Sequence, residues 1–119
     1  MNKGRYFNSW LYYFFLLFIV SLYLFFAPVE ENTVAIPYLD KLAHFTIFFS
    51  MLFLLLKAGL ANNLATSICL IYAVFSETIQ HFLIYRESSL GDLCFDILGI
   101  IFALLLFSYL KNDTLNINK

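Results

Sequence analysis

The sequence predicts an all-α protein, a bundle of four transmembrane helices, and three observations support this. Hydrophobic residues make up 62% of the 119-residue chain, and charged residues only 13%. A soluble domain of this size could not hide that much apolar surface, because small chains bury a smaller fraction of what they expose. The apolar residues also fall into four runs, each close to the roughly 20 residues that cross a bilayer as a helix.

The first predicted helix covers residues 8–27, and Pro28 ends it because proline lacks the amide that a continuing helix needs. Lys3 and Arg5 precede the run, as basic residues do in a signal peptide. The run ends in Phe25-Phe26-Ala27-Pro28, however, without the small residues that signal cleavage requires. We therefore expect this helix to be retained as a membrane span, followed by a loop.

The second and third predicted helices, residues 40–60 and 64–83, each carry polar residues at one end. Both reach spanning length only if those residues belong to the helix. The polar residues that open the second helix are Asp40, Lys41 and His44, and those that close the third are Glu77, Gln80 and His81. The fourth predicted helix covers residues 92–110, and the polar tail after it is expected to fray.

The distribution of Lys and Arg predicts the orientation of the bundle. The two termini and the second connection carry five of these residues, and the other side, with Lys41 and Arg86, carries two. Both termini should therefore face the cytoplasm. We see no repeat or second domain, so residues 1–119 are expected to form one domain. Cys69 and Cys94 are expected to be free thiols. The chain has no basic block, so nucleic acid is not an expected partner.

With this topology, the polar residues of three helices all lie at or just below the outer surface. Residues three or four apart share a helix face, which pairs Asp40 with His44, Glu77 with His81, and Asp92 with Asp96. Exposure of these groups to lipid would cost free energy, so the three faces are expected to turn toward each other. The sequence thus predicts a polar pocket that opens to the outer side.

The motifs that form this pocket resemble those of the VanZ-like family of small bacterial membrane proteins. They are Asp40-Lys41-Leu42-Ala43-His44-Phe45, then Ser76-Glu77-Thr78-Ile79-Gln80, then Arg86, Asp92 and Gly99 at fixed spacing. The resemblance covers roughly residues 38–106. It implies a multi-pass protein of the bacterial cytoplasmic membrane, and the family takes its name from a member associated with teicoplanin resistance. Where the family pattern leads us to expect asparagine, this chain has Asp96.

We weigh two functions for the pocket. In the first, the protein is an accessory factor that binds a glycopeptide, a cell-wall precursor or a lipid head group. It needs no cofactor, and its lipid-embedded helices could pair with a second copy of the chain. The residues expected to bind are Asp40, Lys41, His44, Glu77, Gln80, Arg86, Asp92 and Asp96, with Lys41 and Arg86 holding phosphate or carboxylate groups.

The second function is that of a membrane enzyme acting on a lipid head group or cell-wall precursor, with Glu77 or His44 as its general base. The sequence has no nucleophile motif, so we favour the accessory factor. A metal held by His44, Glu77, His81 and Asp92 is a weaker alternative, because histidine and carboxylate pairs more often bond to each other. A proton pathway is disfavoured because the inner half of the bundle lacks polar residues.

Each motif also has a purely structural explanation. Asp40 can cap the second helix, and His44 can pair with Asp40 or with a backbone carbonyl. Arg86 and Asp92 can form a surface ion pair, which contributes little to stability. Gly99 and Ala103 are expected to allow close packing between helices.

Overall fold

The computed structural model describes residues 3–30, 36, 38–86 and 89–119, with side chains from Ser9 onward. Within these ranges the chain forms four α-helices and no strand, which confirms the all-α prediction. Residues 31–35, 37, 87 and 88, all in predicted connections, lie outside the described ranges. The helices are α1 (Lys3–Phe26), α2 (Leu39–Lys57), α3 (Asn62–Phe82) and α4 (Leu90–Ile117).

Helix α2 lies at the centre of the bundle, since it contacts the other three helices and α4 most extensively. Helices α1 and α4 lie on opposite sides of it, and no contact joins them within the described residues. The core is densest where Phe48, Met51 and Leu52 of α2 are wholly buried. Cys69 of α3 is part of this core, Cys94 is exposed, and both thiols are free as predicted.

Three of the described helices, α1, α2 and α4, are long and apolar enough to cross a membrane. Helix α3 has 21 residues, about 31 Å at 1.5 Å per residue, but polar residues at both ends make it less apolar. Its outer face still exposes large apolar side chains, among them Ile71 (70%) and Phe82 (77%). These surfaces fit a lipid environment. The orientation of the bundle stays a prediction.

Two helix ends follow from local sequence. Helix α1 ends at Phe26, just before Pro28, as expected. Helix α2 was predicted to reach residue 60 but ends at Lys57, because Gly59 adopts φ 93° and turns the chain. The amides of Gly59 and Leu60 then donate to the carbonyls of Leu56 and Leu55, which forms a Schellman motif.

Helix α4 is longer than predicted. It begins at Leu90 and continues to Ile117, seven residues beyond the expected end at 110. The prediction that the polar tail frays was wrong for most of that tail. Residues 111–118 contain neither glycine nor proline, so nothing in the local sequence stops the helix.

Candidate functional site

Four helix ends meet at one end of the bundle, where α1 and α3 finish and α2 and α4 begin. Glu77 lies five residues before the end of α3, about 8 Å at the helical rise. The first two turns of α2 and α4 supply the other charged side chains. We call the following five residues the polar cluster: Lys41, His44, Glu77, Asp92 and Asp96.

The Lys41–Asp92 ion pair joins α2 to α4 at the outer edge of the cluster. Lys41 Nζ donates to Asp92 Oδ1 at 3.0 Å and to Ser89 Oγ at 3.4 Å. The Asp92 side chain is only 3% exposed. Ser89 Oγ also accepts from the Asp92 amide at 3.2 Å, so it caps α4. The Lys41 ammonium is therefore held by groups of the protein itself.

The His44–Asp96 pair lies deeper and joins the same two helices. His44 Nδ1 is 2.8 Å from Asp96 Oδ1, a distance at which an N–H donates to a carboxylate. Asp96 is wholly buried, and its Oδ2 has no hydrogen-bond partner within the described residues. The ring of Phe25 stacks on the imidazole at 4.5 Å and 13°, which shields it on the α1 side.

Glu77 is the third carboxyl group of the cluster. Its Oε1 lies 3.7 Å from His44 Nδ1, beyond hydrogen-bond length, and has no hydrogen-bond partner in the described part of the chain. The side chain is 11% exposed. Buried polar atoms are normally satisfied, so an unpaired carboxylate oxygen at this position calls for an explanation.

Gln80 and Arg86, both expected to bind a ligand, instead contact the carboxyl end of α1. Gln80 Nε2 donates to the carbonyl of Phe25 at 3.0 Å. Arg86 Nη2 donates to the carbonyls of Leu24 at 2.6 Å and Ala27 at 2.8 Å. The last carbonyls of a helix lack helical partners, and a cation there also complements the helix dipole. Arg86 thus acts as a cap for α1.

Two predicted pairs are not formed. His44 pairs with Asp96 across the bundle and not with Asp40, which is exposed. Asp40 does not cap α2 either, since no side chain makes a capping bond at the start of that helix. Arg86 and Asp92 do not form an ion pair, because Asp92 bonds to Lys41.

Three of the four candidate metal ligands converge. One ligand atom each from His44, Glu77 and Asp92 lies within 4.8 Å of the other two. His81, the fourth, is exposed and meets Phe82 edge-on. In this arrangement the Lys41 ammonium already bonds to Asp92 Oδ1, so a metal at these three residues would lie beside a positive charge.

Gly99 and Ala103 are buried where α4 meets α2. A Cβ atom built on Gly99 would lie 2.5 Å from the Phe45 carbonyl oxygen and 3.0 Å from the Phe49 amide nitrogen. The two backbones therefore approach more closely at this point than any residue with a side chain would allow. This close approach brings Asp96, one turn earlier, within reach of α2.

The cluster is packed inside the bundle, whereas we predicted an open pocket. A groove of about 450 Å³ between α3 and α4 reaches its edge. The groove is lined by Glu77 and His81, by polar Thr78 and Ser89, and by apolar Phe82, Leu90 and Leu93. A molecule in the groove would contact Glu77.

The charge balance of the cluster favours a cationic ligand. Three carboxyl groups face two basic groups, Lys41 and His44. The buried side-chain atoms without a partner in the described chain are three acceptor oxygens, of Glu77, Gln80 and Asp96, and one donor, Arg86 Nε. Both cations that we expected to hold phosphate are occupied by protein oxygens. The site can therefore accept hydrogen bonds more readily than donate them.

Sequence reasoning missed two residues at this site. Ser89 begins the pattern Ser-x-x-Asp, a helix-capping signature that could have identified it. No signal in the sequence identifies Phe25 as the residue that covers His44, because α1 is apolar on every face.

The sequence is similar to one protein family and to a yeast protein. A family model described as VanZ/LLP1 matches residues 5–111. The uncharacterized protein C11E3.10 of Schizosaccharomyces pombe is 35% identical over an alignment of 99 residues, which covers 78% of this chain and 59% of the yeast protein. The chain thus spans less than two thirds of that relative. No solved structure is significantly similar.

Proposed function

This chain belongs to the VanZ/LLP1 family, and on that premise we propose that it is an accessory factor of the cell envelope that binds an amphiphilic molecule at the polar cluster. Binding would alter the envelope and, with it, susceptibility to glycopeptides such as teicoplanin. We place the protein in the bacterial cytoplasmic membrane, with the cluster toward the outer face. The observation that carries the proposal is that Glu77, at the edge of a groove, has no hydrogen-bond partner in the described chain.

The location of the cluster supports recognition of an amphiphile. The cluster lies within two turns of the helix ends, the depth at which head groups lie when the helices span a bilayer. Apolar side chains beside it are exposed, as is common in binding sites that combine apolar walls with a few polar groups. Apolar walls with a few polar groups are sufficient to bind a ligand, and binding requires no catalytic step.

The yeast relative favours a bilayer amphiphile over a peptidoglycan precursor as the ligand. Fungal walls contain no peptidoglycan, so a ligand shared across the family is more readily a bilayer amphiphile than a peptidoglycan precursor. Glycopeptide susceptibility would then be an indirect result of changed membrane composition.

Deletion of the gene in a bacterial host that carries it tests the proposal. We expect the minimum inhibitory concentration of teicoplanin to fall, and the wild-type gene to restore it. Glu77→Ala should fail to restore it, because the variant lacks the acceptor at the groove. Asp113→Ala, a matched change at an exposed position of α4, should restore it fully.

Immunoblots of the membrane fraction show whether both variants accumulate. An unchanged inhibitory concentration after deletion would contradict the link to glycopeptides. Full rescue by Glu77→Ala would show that the function does not need the Glu77 carboxyl group, which contradicts the proposal.

One observation favours the enzyme as a second candidate. The 2.8 Å hydrogen bond that His44 Nδ1 donates to Asp96 Oδ1 orients the imidazole as in a carboxylate and histidine dyad, with Glu77 beside it as a second acid or base. An enzyme would convert its ligand. Incubation of the purified protein with membrane lipids, followed by mass spectrometry, separates the two candidates: a new lipid species supports the enzyme, and unchanged lipids support the accessory factor.

A further inference from the structure

We propose that the groove between α3 and α4 binds a lipid with a primary ammonium head group, such as an ethanolamine phospholipid, and that the ammonium donates to Glu77. This inference rests on the proposed function and names its ligand class. It joins two features: the charge balance of the cluster and the lining of the groove.

Charge balance favours a monovalent cation. Asp92 is matched by Lys41 and Asp96 by His44, each through a hydrogen bond of 3.0 Å or less. Glu77 Oε1 lies 3.7 Å from His44 Nδ1, which is beyond hydrogen-bond length. This carboxyl group therefore has no hydrogen-bond partner in the described chain. An ammonium group supplies one positive charge and three N–H donors, which matches a single carboxylate.

The groove fits the rest of such a lipid. Its walls include Phe82 and Leu90, which are 77% and 83% exposed, and Leu93 further along α4. Apolar side chains exposed at the surface of a membrane protein offer contact for an acyl chain. Thr78 and Ser89 border the same groove near Glu77, where the polar part of a head group would lie.

The alternative occupants fit less well. An anionic head group would meet three carboxyl groups, while Lys41 and Arg86 are already bonded to protein oxygens. A divalent metal at His44, Glu77 and Asp92 would lie beside the positive charge of the Lys41 ammonium, and at His44 Nδ1 it would compete with the bond to Asp96. An ammonium at Glu77 disturbs neither pair.

Native mass spectrometry of the purified full-length protein in detergent tests the inference. Three phospholipids with identical acyl chains serve as probes, with ethanolamine, choline or glycerol head groups. We expect the ethanolamine lipid to bind most tightly. The choline head group carries a positive charge but has no N–H donor, and the glycerol head group carries no positive charge. Glu77→Gln should weaken ethanolamine binding about tenfold, because the amide oxygen still accepts a hydrogen bond but no longer carries the negative charge that attracts the ammonium.

A second variant keeps the test valid if Glu77→Gln folds poorly. Thr78→Phe places a bulky ring at an exposed position on the rim of the groove, so it should weaken binding without loss of folding. Asp113→Asn, an exposed acid far along α4, should leave binding unchanged.

Several outcomes would overturn the inference. One is equal binding of the three lipids, and another is ethanolamine binding that Glu77→Gln and Thr78→Phe leave unchanged. A third is stoichiometric Mn²⁺ or Zn²⁺ binding by calorimetry that His44→Ala abolishes, which would assign the cluster to a metal. If deletion changes teicoplanin susceptibility but the lipid preference is absent, the proposed function stands and only this inference fails.

Discussion

The substitution Gly99→Ala tests the helix contact on which the polar cluster depends. The new Cβ would lie 2.5 Å from the Phe45 carbonyl oxygen, whereas ordinary van der Waals contact begins at 3.4 Å. The obstructing atoms belong to the backbone of α2 and cannot rotate away. Helices α2 and α4 must therefore separate by about 0.9 Å at this point, the difference between the two distances.

Two opposing effects set how far Gly99→Ala lowers the free energy of unfolding. Overpacking of this kind costs about 1–3 kcal/mol, whereas replacing glycine by alanine within a helix gains about 1 kcal/mol in helix propensity. The separation also stretches the Lys41–Asp92 and His44–Asp96 bonds, which cross the same interface. We therefore place the overpacking cost in the upper part of its range, about 2–3 kcal/mol, and expect a net destabilisation of about 1–2 kcal/mol.

The thiol of Cys69 provides the assay. It is wholly buried, so a thiol-reactive fluorophore labels it only when the bundle opens. A Cys94→Ser background removes the exposed thiol. The Tm of Gly99→Ala in detergent should lie clearly below that of the background protein.

Gly91→Ala is the matched control for this measurement. It makes the same chemical change in the same helix, but the nearest atoms are the flexible end of Lys41, at 3.3 Å, and the Ser89 hydroxyl. Its Tm should be unchanged or higher. A Gly99→Ala protein as stable as the background would refute the argument that backbone approach at Gly99 sets the α2–α4 distance.

Two further substitutions test other contacts in the same Cys69 assay. Arg86→Ala should destabilise the protein by about 1–3 kcal/mol, because two carbonyls at the end of α1 lose a charged donor. Lys111→Ala, at an exposed position, is its control, and equal Tm values would show that Arg86 does not cap α1. Asp96→Asn should be tolerated better than Asp96→Ala, because asparagine still accepts from His44, while alanine leaves a buried donor unpaired. Equal losses in the two variants would contradict that role for the Asp96 acceptor.

The sequence predicted the helices better than their ends. Apolar runs of spanning length are a strong signal, and Pro28 ends α1 for a local reason that the sequence displays. The end of α2 also had a local signal, Gly59, which hydropathy obscured because the residues around it are apolar. Helix α4 continues to Ile117 through a polar segment whose residues are compatible with a helix. Hydropathy alone does not predict whether a polar segment is helical.

The candidate site was predicted as a group of residues but not as a set of pairs. Helical periodicity places Asp40 and His44 on one face, yet the partner of His44 comes from α4. Periodicity gives the face of each helix and not its rotation against its neighbours, which packing decides. Here the contact at Gly99 fixes the rotation of α4, and only the structure reveals which carboxyl group reaches which base.

Glu77 has the least evident structural purpose of the cluster residues. Lys41, His44, Asp92 and Asp96 each join α2 to α4, so their burial is offset by bonds that hold the bundle together. Glu77 makes no such bond within the described residues, and burial of an unpaired carboxyl group costs stability. A residue that lowers stability at the edge of a groove is better explained by what enters the groove than by the fold. Replacement of Glu77 by glutamine should therefore weaken ligand binding more than it changes Tm.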